Sequence, residues 1–245
     1  MTPVLNTLES DISSVEMEKV YFVPDDASCP SNLTMFQGFE WYIPSDHRHW
    51  ARLADGIPSL AALGITSIWI PPAAKGASFT SNGYDVYDLY DLGEFHQRGA
   101  RCTKWGTKEE LVLLVNTANS HGIGILFDAV LNHKTGADRT ETVVAVKVDP
   151  EGIAPIESRF CFRTVADSFS PDRLKVISKP QKIDGWTKFN FPGRGSMYSP
   201  LKWTKEHFTG VDHNQRSKVQ GGIWRFQSKK WAYDVDEELG NYDFL

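Results

Sequence analysis

The sequence predicts an α/β fold, because short apolar strand-like runs alternate with amphipathic helical patterns. The three runs cover residues 33–39, 65–70 and 123–127. Each is rich in β-branched or aromatic residues, which is typical of strands that are buried on both faces of a parallel sheet. The order strand–helix–strand–helix–strand indicates right-handed βαβ units. Open doubly wound sheets and closed barrels both begin in this way, and periodicity does not separate them.

Two helices are predicted between these strands. The first has apolar residues at helical spacing, and Pro58 is expected to kink or restart it. The second begins with a capping-box pattern at Thr107 and Glu110, and Gly122 stands where a C-terminal cap belongs. The residues predicted to form its buried stripe are Leu111, Leu114, Val115 and Ala118. No glycine-rich phosphate loop follows the first strand, which argues against a nucleotide-binding fold.

The sequence on either side of these units has a different character. Residues 1–31 are acidic and weakly periodic, and they are predicted to form a loosely attached leader. Residues 32–133 hold the three strand units. Residues 134–245 show short alternating runs, many Gly and Pro residues and no clear helical pattern, which predicts an irregular β-rich insertion after the third strand.

Composition excludes several classes of protein. The chain is 41% hydrophobic, and its longest apolar stretches are too short to span a bilayer. A net charge of −5 argues against nucleic acid or anionic lipid as a partner, since both need a basic surface. Three widely spaced cysteines favour neither a disulfide framework nor a zinc site. The first residues lack the features of a secretory signal, so we expect a cytoplasmic protein, or a secreted one only if its true N-terminus lies elsewhere.

Polar residues follow the third strand in the run Asp128-Ala-Val-Leu-Asn-His133. Functional residues in parallel α/β folds collect where strands end. An Asp, an Asn and a His within this short run could therefore form a polar site. Equally, Asp128 could be a buried partner of an arginine while Asn132 closes a turn. The residues by themselves leave both interpretations open.

A wider set of motifs favours the functional interpretation. The run from Asp128 to His133 resembles the first signature region of the α-amylase family of glycoside hydrolases. Residues 35–42 and 64–72 resemble the family's first two barrel strands, and 83–95 resembles the loop with its substrate-stacking tyrosine. The inserted calcium-binding domain of the family's liquefying members is resembled by three segments, 132–138, 186–195 and 240–245. The resemblance covers roughly residues 33–245, and 127–134 is similar to the intracellular fungal branch. It implies the first three βα units of a TIM (β/α)8 barrel.

The resemblance also implies roles for individual residues. Tyr84 would stack on the sugar ring just before the scissile bond, and His133 would hydrogen-bond the same ring. Trp41 is a further candidate for substrate binding. Asn132 and Asp243 would supply oxygen ligands to a structural Ca²⁺, which takes six to eight oxygens. The structural alternatives are packing at the barrel rim for Tyr84 and a supporting role for His133.

Two positions differ from the liquefying enzymes that hold a multi-metal cluster. Thr209 and Ala232 stand where those enzymes have acidic ligands. Neither side chain replaces a carboxylate, so one Ca²⁺ site is expected, and it is incomplete in this chain. Asp128 matches no catalytic position of the family and is expected to be a structural anchor.

The catalytic groups of the family are expected to lie outside this sequence. Retaining glycosidases use a nucleophilic carboxylate and a general acid about 5 Å apart. In this family they come from strands four, five and seven, whereas the sequence reaches Leu245 before a fourth strand pattern. The complete protein is expected to be a monomer that hydrolyses internal α-1,4 bonds of starch- or glycogen-like glucans and maltooligosaccharides. The alternatives are an α-glucanotransferase of the same family and a non-catalytic α-glucan-binding remnant.

Overall fold

The computed structural model describes residues 33–148, 176–217, 222–227 and 229. The predicted leader at 1–31, Asp243 and Ala232 all lie outside these residues. In chain order the described strands and α-helices are β1 (Met35–Gln37), α1 (His49–Ala62), β2 (Ser67–Ile70), β3 (Lys75–Gly76), β4 (Val86–Asp88), α2 (Lys108–Ser120), β5 (Gly124–Phe127), β6 (Arg139–Val148), β7 (Gln181–Lys188), β8 (Gly210–Val211) and β9 (Ile223–Phe226). No helix among the described residues is long and apolar enough to cross a membrane.

The three predicted strands form one parallel sheet. Its order is β1-β2-β5, with Phe36, Ile68 and Ile125 side by side across the register. This arrangement confirms the predicted sequential βαβ units. The expectation that the strands are buried on both faces is wrong for the described residues, because β1 is exposed and β5 is largely exposed. The helices cover one face of the sheet, and side chains such as Leu126 remain exposed.

The two helices pack on each other and on β2. Their shared core contains the large buried side chains Trp50, Ile57, Ile68, Ile70, Trp105, Leu114 and Ile123. Helix α1 is continuous through Pro58, which excludes the restart that was one of the two predicted outcomes there. The Pro58 ring lies on the exposed side of α1.

The predicted signals of α2 are confirmed. The Thr107 side chain accepts a hydrogen bond from the Glu110 amide at 3.2 Å, and the Glu110 carboxylate accepts one from the Thr107 amide at 2.8 Å. Gly122 follows the helix with a φ of +72°. Three members of the predicted stripe are buried and Val115 is partly buried. Local sequence therefore determines both ends of this helix.

The later part of the chain forms a second sheet, which confirms the β-rich prediction. Its strands are antiparallel in the order β7-β6-β9-β8. The buried side chains on this sheet are Tyr87, Ala137, Ala145, Ile183, Phe189, Phe191, Phe208, Trp224 and Phe226. Tyr87 belongs to β4, so a residue that precedes β5 in the chain helps to build this second core.

Buried charges connect the segments around β3 and β4. The Lys75 ammonium donates to four backbone carbonyls, at Phe95, Ala100, Arg101 and Cys102, and pairs with Asp91. Arg194, which follows β7, pairs with Asp88 at 2.7 Å in full burial. Because buried charges are tolerated only when they are paired and hydrogen-bonded, these contacts fix the loops between β3 and α2.

Candidate functional site

The three predicted substrate-binding residues lie in loops at the carboxyl edge of the parallel sheet. Trp41 follows β1, Tyr84 lies between β3 and β4, and His133 follows β5. The carboxyl ends of parallel strands meet at one edge of a sheet, so loops that are distant in sequence converge there. A ring contact joins Trp41 to Tyr84, and a hydrogen bond joins the His133 side chain to the Tyr84 backbone.

The aromatic rings of Trp41 and Tyr84 form a stacked pair. Their centroids are 5.8 Å apart and their planes differ by 17°, which is an offset-stacked geometry. The Trp41 side chain is 58% exposed, whereas Tyr84 is half-buried. Part of one Tyr84 face is therefore covered by Trp41, and a sugar ring that stacks on Tyr84 must use the remaining surface of the pair.

Hydrogen bonds hold Tyr84 from both ends. Its hydroxyl donates to the Asp128 carboxylate at 2.6 Å, and its backbone carbonyl lies 2.6 Å from Nε2 of His133. A carbonyl only accepts, so this nitrogen carries the proton. Burial, and then the hydrogen bond to Asp128, raise the pKa of Tyr84 well above its ordinary value. Tyr84 is consequently a neutral donor, and Asp128 is the anchor that the resemblance implied.

Gly83 sets the backbone path into Tyr84. Its φ is +96°, and an added Cβ would lie 2.6 Å from the carbonyl oxygen of Pro72. Only glycine combines this conformation with so close a backbone approach. The Gly83-Tyr84 dipeptide is thus required by the local geometry that presents the tyrosine.

Sequence reasoning missed two residues of this edge, Asn82 and Lys104. The Trp41 carbonyl accepts hydrogen bonds from the Asn82 side-chain amide at 3.2 Å and from the Lys104 ammonium at 3.3 Å. These partners are 41 and 63 positions from Trp41 in the chain. Neither forms a local pattern with Trp41, and a basic residue near the start of a helix is ordinarily solvated. Only the folded loops reveal the contact.

The described residues test the predicted calcium site only in part. Asn132 is half-buried in the loop after β5, while Asp243 lies outside the described residues. In ranges 33–148, 176–217, 222–227 and residue 229, no group of three or more His, Cys, Asp or Glu side chains could hold a metal ion. These residues alone do not fit a complete oxygen cage for Ca²⁺, which requires six to eight ligands.

An α/β sheet with aromatic and polar side chains at its carboxyl edge is typical of ligand-binding α/β proteins. Comparison with known proteins identifies the class. Residues 49–150 match the family model described as the α-amylase catalytic domain. The chain is 46% identical to the α-amylase of Bacillus licheniformis over 228 residues, which cover 92% of this chain and 40% of that protein.

Two further relatives agree with this match. The α-amylase of Geobacillus stearothermophilus is 44% identical over 224 residues, which cover 91% of this chain and 37% of that protein. The cytoplasmic α-amylase of Escherichia coli (strain K12) is 35% identical over 219 residues, covering 87% and 40% respectively. The chain belongs to the α-amylase family of glycoside hydrolases, which confirms the resemblance found in its motifs. It spans about 40% of the length of these relatives.

Proposed function

We propose that this chain forms the substrate-binding start of an α-amylase that hydrolyses internal α-1,4-glucosidic bonds of starch- or glycogen-like glucans with retention. The observation that carries the proposal is the convergence of Trp41, Tyr84 and His133 at one sheet edge. Relatives named α-amylase support the substrate class. The strands of the parallel sheet, β1, β2 and β5, are then the first three strands of a (β/α)8 barrel. Residues 32–133 form its first part and residues 134–245 form an inserted domain.

The chemistry of this edge suits a neutral sugar. An aromatic face packs against the C–H groups of a pyranose ring, and hydroxyl groups hydrogen-bond to the polar atoms around it. Tyr84 stays protonated because it is partly buried and its hydroxyl donates a hydrogen bond to Asp128, so the ring carries no net charge of its own. His133 orients Tyr84 through the backbone carbonyl, and we propose that it also contacts the bound sugar.

A direct test is the binding of a maltooligosaccharide with non-hydrolysable thio linkages to the intact protein. Tyr84→Ala should weaken binding more than tenfold, because it removes the stacking surface and the partner of Trp41. Tyr198→Ala provides a control, since Tyr198 is also an accessible tyrosine but its hydroxyl bonds to Lys108 and Glu94. Equal affinities of the wild-type protein and Tyr84→Ala would refute the proposed site.

We also propose that a polypeptide of these 245 residues does not hydrolyse glucan by itself. The resemblance assigns the nucleophile and the general acid to later barrel strands, and both groups are needed for retaining hydrolysis. Purified polypeptide should release no reducing ends from soluble starch above background. Release that disappears on heating would contradict this expectation.

One structural Ca²⁺ is proposed for the intact protein, with Asn132 and Asp243 among its ligands. The support is the match of their motifs to the inserted domain of liquefying relatives, together with Thr209 and Ala232 in place of acidic ligands. Metal analysis should find one tightly held calcium, and Asn132→Leu should weaken its retention during dialysis against a chelator. Three tightly held ions would contradict the proposal.

A cytoplasmic location is proposed because one relative is named a cytoplasmic α-amylase. Fractionation of cells that express the intact protein should recover it with soluble cytoplasmic markers. Recovery from the culture medium of intact cells would contradict this location.

A further inference from the structure

A buried lysine and an asparagine hold the loop that carries Trp41. Lys104 is only 5% exposed, and its ammonium donates to the Trp41 carbonyl at 3.3 Å and to the Asn82 side-chain oxygen at 2.5 Å. The Asn82 amide donates to the same Trp41 carbonyl at 3.2 Å. The three groups therefore form a closed hydrogen-bonded set that joins three separate loops.

The same set is attached to the helical core through Trp105. The Trp105 indole N–H donates to the Asn82 backbone carbonyl at 3.1 Å, and the Lys104 ammonium lies 4.9 Å from the centroid of the Trp105 ring. Trp105 is 1% exposed and packs in the core between α1 and α2. The backbone of Trp41 is thus connected to the buried core between α1 and α2 through one ammonium and one amide.

An ammonium in this position needs a reason, because burial of a charged group is costly unless hydrogen bonds compensate for it. Here the compensating acceptors belong to the two loops that present the stacked rings. One acceptor is the backbone carbonyl of Trp41 itself. The other belongs to Asn82, which lies two positions before Tyr84. Loss of the ammonium would leave the Trp41 carbonyl with the Asn82 amide as its remaining donor in this set, and it would detach both loops from Lys104.

We propose that Lys104, acting with Asn82, is a positioning residue that fixes the Trp41 ring on Tyr84 and thereby sets the affinity of this edge for α-glucan. The inference rests on the proposed function of the Trp41–Tyr84 pair. Lys104 acts through Trp41 and does not touch the sugar. Without the lysine, the tryptophan would have to be ordered during binding, which reduces affinity.

The test compares Lys104→Met with wild type in the intact protein, with binding of thio-linked maltoheptaose measured by calorimetry. We expect about tenfold weaker binding, together with a raised KM and an unchanged kcat where hydrolysis is measured. In a Trp41→Ala background the same substitution should have no further effect, because the residue it positions is absent. Asn82→Ala, which keeps the ammonium, should also weaken binding and should do so only when Trp41 is present.

Lys108→Met is the matched control. Like Lys104, Lys108 has its ammonium near an aromatic ring, 4.6 Å from the centroid of Tyr198. Its acceptor is the Glu94 carboxylate, and its contacts are at the start of α2. The affinity of the Lys108→Met variant for thio-linked maltoheptaose should equal that of wild type. The positioning role would be overturned if Trp41→Ala weakens binding while Lys104→Met and Asn82→Ala both bind as tightly as wild type. An equal loss in the Trp41→Ala background would overturn it too, whereas failure of the wild type to bind would refute the proposed function itself.

Discussion

Removal of the Arg194 side chain charge should strongly destabilise the protein. Its Nε donates to Asp88 at 2.7 Å, and its Nη1 donates to the carbonyls of Met197 and Ser199 at 2.6 and 2.9 Å. Both charged side chains are essentially unexposed. Arg194→Met leaves the Asp88 carboxylate buried with the Gln97 amide as a remaining donor. Breaking such a buried pair costs about 3–5 kcal/mol.

Urea and thermal unfolding of the intact protein would measure this cost. For a cooperative unit of about 150–250 residues, about 3–5 kcal/mol corresponds to a fall in Tm of roughly 6–20 °C, and a larger cooperative unit shifts by less per kcal/mol. Arg216→Met is the control, because the Arg216–Asp184 pair is also an arginine–aspartate contact but is partly exposed. Its removal should cost much less than that of Arg194, because water screens an exposed pair. Equal losses for the two variants would refute the reasoning that burial decides the strength of these pairs.

Three further predictions follow from the same contacts. Gly83→Ala should cost about 1–3 kcal/mol and weaken glucan binding, because it strains a positive-φ position next to Tyr84; unchanged unfolding and binding curves would contradict this. Tyr84→Phe should keep affinity within about threefold, since the ring remains when the hydroxyl bond to Asp128 is lost; a loss as large as that of Tyr84→Ala would show that the hydroxyl, not the ring, binds sugar. Burial lowers the pKa of His49 below its ordinary 6.5, while its hydrogen bond to the Gly38 carbonyl opposes this shift. As the pH falls, the unfolded chain takes up the proton at a higher pH than the folded chain, so the free energy of unfolding should fall as the pH drops below about 6.5. His49→Gln should flatten that dependence in urea titrations between pH 7 and 5. Identical pH profiles of the variant and the wild type would contradict this prediction.

The features that sequence predicts best are local ones. The capping box at Thr107 and the positive φ at Gly122 are set by residues within a few positions of one another, and the structure confirms both. The parallel order of the strands also follows from the alternation of strand and helix patterns. Family motifs then identified Tyr84 and His133, which meet by a hydrogen bond across 49 positions.

The features that sequence did not predict depend on contacts between distant segments. Lys104 is a buried hydrogen-bond donor, although lysine is among the residues least often buried. Tyr87 packs into the core of the second sheet, and its hydroxyl donates to Asp138, 51 positions away in the chain. Phe191 adopts a φ of +50° in the same core, which no residue pattern indicates for an aromatic side chain. Tertiary packing overrides local preference at each of these positions.

We propose that the loops carrying Trp41, Tyr84 and His133 form the glucan-binding edge of this protein. A crystal structure of the intact protein with thio-linked maltoheptaose tests this proposal. We expect a pyranose ring in contact with Tyr84, with carbon atoms within about 4.5 Å of the aromatic ring, and with Trp41 beside it. A sugar chain bound at another surface, with Tyr84 and Trp41 still stacked only on each other, would contradict it.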